Sequence, residues 1–278
     1  MPADPLTNTS ASPGVAKPDP VVTVDHMRRS FGGLAAVDVD HLEIQRRTIT
    51  SLIGPNGAGK TTLFNLLTGF DEADEGTWSL DGNLLVGIPA YRVARRGMVR
   101  TFQLTKSLSR LTVLETVMLA ANDNPGEKLT RAVFGGWRRA ETDIEARART
   151  LLERFDMSHM TDEYAGSLSG GQRKLLEMAR ALMAEPDVIM LDEPMAGVNP
   201  ALTESLLEHI KLLRDEDHRT VIFIEHDMDV VQEISDWVVV LGEGTVISEG
   251  RPREVASDPR VIDAYLGSNL TESWESSQ

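Results

Sequence analysis

A glycine-rich segment offers the first recognisable chemistry in this sequence of 278 residues. Residues 54–61 read GPNGAGKT, which matches the pattern G-x-x-x-x-G-K-[ST] and follows an apolar run that ends at Ile53. Glycines let consecutive backbone N–H groups turn toward phosphate oxygens, and the positive end of a following helix adds to the attraction. We therefore predict a phosphate-binding loop in which Lys60 reaches the β- and γ-phosphates and Thr61 ligates Mg²⁺. The alternative is a glycine turn with an exposed lysine.

Two acidic residues follow a second apolar run. The run 188–191 leads into Asp192 and Glu193, which places both at the carboxyl end of a predicted buried strand, where open α/β sheets bind ligands. Asp192 would bind Mg²⁺ directly or through water, and Glu193 would hydrogen-bond the water that attacks the γ-phosphate. An acidic pair alone is more often helix-capping chemistry, so the phosphate loop is what favours the catalytic interpretation.

A second predicted anion-binding site lies between these two motifs. Residues 168–172 read LSGGQ and open a helical run, so Ser169 can cap the helix while glycine N–H groups stay accessible. A second phosphate-binding site beside the loop at 54–61 is notable, because one subunit rarely needs two. The alternative is an ordinary helix cap with a glycine turn.

The elements that must position these groups follow from the apolar pattern. Alternating valines between positions 22 and 39 predict half-exposed strands, and the spacing of leucine and isoleucine over 202–213 predicts a helix with one apolar stripe. The stretch 103–183 shows helical patterns without a clear strand. The fold class is therefore α/β, with a helical insertion. Continuous apolar runs, typical of buried parallel strands, occur at 51–53, 188–191, 221–224 and 238–241.

Composition narrows the class of function. The 28 basic and 43 acidic residues give a net charge of −15, which argues against a nucleic-acid partner. The absence of cysteine excludes disulfides and thiolate metal sites, and no apolar stretch is long enough to span a membrane.

We expect residues 1–20, with five of the 13 prolines, to form a disordered arm without a role in hydrolysis. We expect a loop with a short helix from Asn122 to Trp137 and a polar tail at 268–278.

The motifs together resemble those of the ATP-binding subunit of ABC transporters, over residues 21–267. GPNGAGKTT resembles the Walker A motif, RTFQ the Q-loop, LSGGQ the signature, VIMLDEP the Walker B motif, MAGVNP the D-loop and IEHD the segment with the switch histidine. The resemblance implies a P-loop NTPase (RecA-like) core with an antiparallel β edge and an inserted α-helical subdomain. The implied core covers 21–102 and 184–267, and the helical subdomain covers 103–183.

The resemblance also implies roles for single residues. Glu193 would be the catalytic base, His226 would hold the γ-phosphate and the attacking water, and Gln103 would sense Mg²⁺ and pass subdomain rotation to a membrane partner. For His226 and Gln103 the alternatives are a helix cap and a polar hinge. Phe31 would stack on adenine, or else be a core phenylalanine. The Mg²⁺ ligands would be Thr61, Gln103 and Asp192. The other residues that contact ATP would be Gly54, Pro55, Asn56, Gly57, Ala58, Gly59, Lys60, Thr61 and Thr62.

By the same resemblance, two cassettes close head to tail, and each ATP lies between one Walker A motif and the signature of the second cassette, identical or paralogous. The signature residues acting in trans would be Leu168, Ser169, Gly170, Gly171 and Gln172. Asn199 stands where many relatives have Asp, which leaves the hydrogen bonds of the D-loop open. Further implied partners are transmembrane permease subunits at the cytoplasmic face of the membrane and, indirectly, an extracytoplasmic solute-binding protein.

Several segments resemble the ATPase subunit of branched-chain amino acid importers in particular. They are RTFQLTKSLSRLTVLETVMLAA, the insertion near 122–140, EPMAGVNP, IEHDMDVV and the ending VIDAYLG. Urea and other amide importers are alternatives, as are lipopolysaccharide exporters, which look shorter around 122–140. A soluble ABC ATPase is a further alternative, although those usually carry two cassettes or a long coiled-coil insertion. A regulatory module without turnover is disfavoured because Glu193 and His226 are both present.

Overall fold

Two β-sheets form the body of the molecule. The structure is a computed structural model that describes residues 5–7, 9–101, 108–122 and 137–265. One sheet has six strands in the order β10-β9-β3-β8-β7-β6, and all neighbours are parallel except β10 and β9. The other sheet has four antiparallel strands in the order β2-β1-β4-β5. The strands are β1 Pro20–Phe31, β2 Leu34–Gln45, β3 Ile49–Ile53, β4 Glu75–Leu80, β5 Asn83–Leu84, β6 Met98–Arg100, β7 Val188–Asp192, β8 Thr220–Ile224, β9 Trp237–Gly242 and β10 Thr245–Gly250.

The central parallel strands are buried on both faces, as their continuous apolar runs predict. Successive side chains of a strand point to opposite faces, so Val221 and Phe223 enter one core while Ile222 and Ile224 enter the other. One core lies between the two sheets and includes the first helix and Val93 of the second helix. The other core lies between the six-stranded sheet and the helices that follow in the sequence. This arrangement confirms the predicted α/β class with an antiparallel edge and a helical insertion.

The helices among the described residues include the one predicted over 202–213. The predicted apolar stripe of residues 202–213 lies on α6, where Leu206, Ile210 and Leu213 are fully buried. None of the helices in the described ranges combines the length and the apolar character that crossing a bilayer requires. The helices are α1 Lys60–Leu67, α2 Ala90–Arg95, α3 Val113–Met118, α4 Trp137–Arg154, α5 Gly170–Met183, α6 Pro200–Asp215, α7 Met228–Ile234 and α8 Pro252–Ala256, followed by a helical segment at 259–265.

The amino-terminal segment differs from the expected disordered arm. In its described part Leu6 is 1% exposed, and the ammonium of Lys17 lies 2.8 Å from the carboxylate of Glu249 on β10. Glu249 also accepts hydrogen bonds from the backbone of Val15 at 3.0 Å and from the indole of Trp237 at 2.8 Å. The expectation was wrong here because a buried ion pair and two hydrogen bonds hold a segment whose own apolar content is low.

Candidate nucleotide-binding site

Three neighbouring strands end at the same edge of the six-stranded sheet. The phosphate loop follows β3, the acidic pair closes β7, and His226 follows β8 after one further residue. Because β3, β8 and β7 are adjacent and parallel, their carboxyl ends lie side by side. The fold therefore brings together the predicted groups that are more than 130 positions apart in the sequence.

The phosphate loop is held close to two neighbouring strands by its glycines. Gly59 has φ +96° and precedes α1, and a Cβ there would overlap the carbonyl oxygen of Ala36. A Cβ at Gly54 would overlap the carbonyl oxygen of Leu241. Gly57 has φ +78° but open space around it. Two glycines thus serve packing as well as loop shape, and one serves loop shape alone.

Lys60 lies at the start of α1 and is 7% exposed. Its ammonium donates to the carbonyl oxygens of Gly54 at 2.6 Å and Pro55 at 2.9 Å. Burial lowers the pKa of Lys60, and the nearby charges of Glu193 and Asp192 oppose that shift. A buried cation whose hydrogen bonds, within the described residues, go to carbonyl oxygens is suited to bind an anionic ligand, because phosphate oxygens would stabilise its charged form.

Glu193 and His226 contact each other across β7 and β8. The distance from Glu193 Oε1 to His226 Nε2 is 2.7 Å, and both side chains are almost half exposed. Glu193 has φ +46°, and its N–H donates to the carbonyl of Ile224 at 3.1 Å. Left-handed backbone is unusual for a residue other than glycine, and such strain clusters at functional sites. The contact brings the predicted base and the predicted switch histidine to one place.

Asp192 forms an ion pair that the sequence did not reveal. The guanidinium of Arg100, at the end of β6, pairs with the Asp192 carboxylate and also donates to the Asn65 amide oxygen on α1 at 2.5 Å. Arg100 is the first residue of the RTFQ segment, three positions before Gln103. That position was the sequence signal that could have marked Arg100 as a site residue. Gln103 itself lies outside the described residues, and its predicted role stays a prediction.

Glu225 is a second residue that the sequence analysis missed. It is 5% exposed, and its carboxylate accepts hydrogen bonds from the N–H groups of Met195 at 2.9 Å and His226 at 3.2 Å. Burial raises the pKa of Glu225, and those two hydrogen bonds act in the opposite direction. The residue ties the loop after Glu193 to the loop that carries His226. Its position next to a predicted site histidine was the only signal.

The signature segment forms the amino end of α5. Ser169 accepts a hydrogen bond from the N–H of Gln172, whose side chain accepts one from the N–H of Ser169 at 2.9 Å. Leu168 is buried, whereas Ser169 and Gly170 are exposed. A Cβ at Gly171 would overlap the side chain of Leu202 on α6. The segment is thus capped by its own side chains, in agreement with the structural alternative, and still presents a helix amino terminus to solvent.

Two further predicted positions have local partners. Phe31 is 50% exposed at the end of β1, with the Arg29 guanidinium 4.7 Å from its ring centroid. It is therefore not a core phenylalanine, and stacking on adenine stays a prediction. Asn199 caps α6, because its side-chain oxygen accepts from the N–H of Leu202 at 3.0 Å. An aspartate could make the same cap, so the departure from the usual residue is tolerated locally.

The strand order and the loop after β3 define a P-loop nucleotide-binding protein. Comparison with known families narrows this class. A family model described as ABC transporter matches residues 37–196, and a model described as branched-chain amino acid ATP-binding cassette transporter matches residues 245–270.

Curated proteins similar to the chain carry related descriptions. The high-affinity branched-chain amino acid transport ATP-binding protein BraF of Pseudomonas aeruginosa is 40% identical over 250 residues, which cover 89% of this chain and 98% of BraF. The corresponding protein LivG of Escherichia coli K12 is 41% identical over 254 residues, with coverage of 89% and 98%.

Solved structures agree with the curated relatives. A nucleotide-free ATP-binding cassette from an ABC transporter superposes with a TM-score of 0.78 at 36% identity, covering 88% of this chain and 98% of its own. An ADP conformation of such a cassette gives a TM-score of 0.78 at 35% identity, with coverage of 89% and 99%. The chain belongs to the ABC transporter family and is an ATP-binding, ATP-hydrolysing cassette of that family. The predicted family, the predicted fold class and the predicted ATPase activity are thereby confirmed.

Proposed function

We propose that this cassette powers an ABC importer of branched-chain amino acids. The relatives that cover almost the whole chain are described as ATP-binding proteins of branched-chain amino acid transport, and the model matching 245–270 carries the same substrate class. The support for this substrate class comes from the descriptions of the relatives and from that family model.

The single observation that carries the mechanism is the 2.7 Å contact between Glu193 and His226 beside the phosphate loop. In our proposal residues 54–62 hold the phosphates of ATP and Lys60 moves its contacts from carbonyls to phosphate oxygens. Glu193 accepts a proton from the attacking water, and His226 orients that water and the γ-phosphate. Phe31 stacks on the adenine ring.

The residues around the loop fit Mg²⁺ as the second cofactor. Thr61 is an exposed residue at the start of α1, and the Asp192 side chain is 28% exposed, so a hydroxyl and a carboxylate supply oxygen ligands of the kind that Mg²⁺ prefers. The ion would neutralise charge on the β- and γ-phosphates. We propose Thr61, Asp192 and Gln103 as the residues that hold it, with Arg100 keeping the carboxylate of Asp192 oriented.

The exposed amino end of α5 supports the proposal that two cassettes act together. Anions bind at helix amino termini, and Ser169 and Gly170 are accessible there. In our proposal residues 168–172 of one cassette complete the ATP site of the other, whether identical or paralogous.

Permeases and a membrane location complete the proposal. The cassette would lie at the cytoplasmic face of the membrane, bound to permease subunits that receive solute from an extracytoplasmic binding protein. Phe70 and Val86 line one cleft and are 58% and 51% exposed, which supports an apolar contact with another protein.

The test is purification of the cassette from its native membranes, followed by ATPase assays with binding protein and solutes. We expect permeases to co-purify and leucine, isoleucine or valine to stimulate hydrolysis. Stimulation by urea or short amides alone, or association with lipopolysaccharide, would reassign the substrate. Recovery with ribosomes or DNA and without membrane proteins would refute transport. The matched control is Glu193→Gln, which should bring down the same permeases without stimulated turnover.

A further inference from the structure

The last described helical segment, residues 259–265, is anchored at both ends. At its start, the Asp258 carboxylate accepts a hydrogen bond from the hydroxyl of Ser248 on β10 at 2.7 Å, and Ser248 is buried. Val261 is 4% exposed in the core under the six-stranded sheet, and the ring of Tyr265 packs against the same core. The segment therefore has a defined position on the body.

Tyr265 extends from this segment to the phosphate loop. Its hydroxyl oxygen accepts a hydrogen bond from the backbone N–H of Gly54 at 2.9 Å, although the two residues are 211 positions apart. Burial raises the pKa of the Tyr265 hydroxyl. The group therefore stays neutral at physiological pH.

Gly54 is the residue at which the chain leaves β3 and enters the loop. Its φ of +145° and the close carbonyl oxygen of Leu241 leave no room for a side chain. Its own carbonyl accepts a hydrogen bond from the ammonium of Lys60 at 2.6 Å. Gly54 is thus held by two contacts. The Tyr265 hydroxyl accepts a hydrogen bond from its N–H, and the Leu241 carbonyl on β9 limits the space around its Cα. Loop N–H groups bind phosphate only in a suitable conformation, so the first residue of the loop influences those that follow.

We propose that Tyr265 is a positioning residue for the phosphate loop and that the segment 259–265 thereby couples to nucleotide affinity. The inference rests on the proposed binding of ATP phosphates at residues 54–61. It assigns a task to part of the region 245–270, which the second family model matches. Coupling is reciprocal, so ATP binding would in turn reduce opening of the segment.

The decisive variant is Tyr265→Phe, which removes the hydroxyl and keeps the packed ring. In the full chain purified with its permeases, we expect KM for ATP to rise about three- to tenfold, the scale of one lost hydrogen bond, with kcat within about twofold. Hydrogen exchange of 259–265 should slow on ATP binding in the wild type and change less in the variant. The thermal midpoint should shift little, because the ring stays in place.

Two controls separate the outcomes. Tyr91→Phe removes a hydroxyl from a tyrosine that is 56% exposed on α2, and it should leave KM and kcat unchanged. Lys60→Ala should abolish tight ATP binding. If Lys60→Ala keeps wild-type affinity, the proposed phosphate site fails. If Lys60→Ala loses affinity while Tyr265→Phe keeps the wild-type KM and exchange protection, the positioning role alone is overturned. If both kcat and the thermal midpoint fall while KM stays unchanged, the positioning role is likewise overturned and Tyr265 has a structural role.

Discussion

The two predicted halves of the nucleotide site are built in different ways. The half around Lys60 lies at the ends of three adjacent strands, and its polar side chains already contact the loop, as Lys60 does, or one another, as Glu193 and His226 do. The half around Ser169 is a helix amino terminus whose polar groups are satisfied by its own capping box and which faces solvent. The first half is preorganised by the sheet. The second is stable by itself and available to a partner.

The largest expected effect comes from blocking the solvent-facing half without unfolding it. Gly170 has ordinary backbone geometry and its nearest neighbour for a Cβ is 3.4 Å away, so Gly170→Glu should fit. A carboxylate there stabilises the helix amino terminus but repels phosphates of the partner's ATP. We expect turnover to fall about 10³-fold or more, the scale of a group supplied in trans, with no loss of thermal stability.

A mixing experiment shows whether the two halves belong to different chains. Gly170→Glu and Lys60→Ala subunits should each be inactive, whereas an equal mixture should recover about a quarter of the wild-type rate if sites act independently. No recovery would mean that the halves act in one chain or that the natural partner is a paralogous cassette. Repeating the mixture with that paralogue would distinguish these two explanations.

Glu193→Gln tests the preorganised half. The amide keeps the shape of the side chain but cannot accept a proton, so we expect turnover to fall about 10²- to 10⁴-fold while ATP still binds. Phosphate release and ATP binding should be measured on the same preparation. Glu216→Gln, an exposed position just after α6, should behave like wild type. Undiminished phosphate release by Glu193→Gln would remove Glu193 from the role of base.

Variants of the amino-terminal segment show whether the six-stranded sheet, which carries the site around Lys60, depends on contacts that are distant in the sequence. Lys17→Met leaves the Glu249 carboxylate buried without its cation, and we expect a loss of about 3 kcal/mol in the free energy of unfolding. Lys17→Met combined with Glu249→Gln should recover much of that loss. Lys211→Met, which breaks an exposed pair with Glu233, should cost less than about 1 kcal/mol. Denaturant unfolding gives all three values, and equal losses for Lys17→Met and Lys211→Met would contradict the expectation.

The smallest expected effect is a pH dependence of ATP affinity. Burial lowers the pKa of Lys60 in the structure, and bound phosphates would favour its charged form and raise that pKa again. Affinity should therefore be constant below the lowered pKa and weaken severalfold as the pH rises from it toward the ordinary value of 10.5. Lys60→Arg stays charged, so its affinity should vary less over that range. Calorimetric titrations would detect the difference, and parallel curves would exclude Lys60 as the titrating group.

Much of the preorganised half could be predicted because its signals are local. The apolar run before Asp192 specifies a buried strand, and the end of such a strand is where α/β proteins bind ligands. The same reasoning placed His226 after β8. The contact between Glu193 and His226 then follows from the adjacency of two strands.

Other contacts could not be predicted, because strand order is not a local property. Arg100 reaches Asp192 only because the three-residue strand β6 lies next to β7. Lys17 reaches Glu249 across 232 positions. A proline-rich segment with few apolar residues reads as disordered when its distant ion partner is unknown. The expectation that this segment has no role in hydrolysis therefore applies only to protein that stays folded.

The close approach of the phosphate loop to two strands has a consequence for mutational scanning. Substitutions at Gly57 meet open space and a strained backbone, so surviving clones should show weaker nucleotide binding in protein of normal abundance. At Gly54 and Gly59 any side chain meets the carbonyl of Leu241 or Ala36, so substitutions should lower cellular abundance first. A screen that scores growth alone would assign all three to catalysis. Counting folded protein in parallel would show that two of them set the spacing between neighbouring parts of the chain.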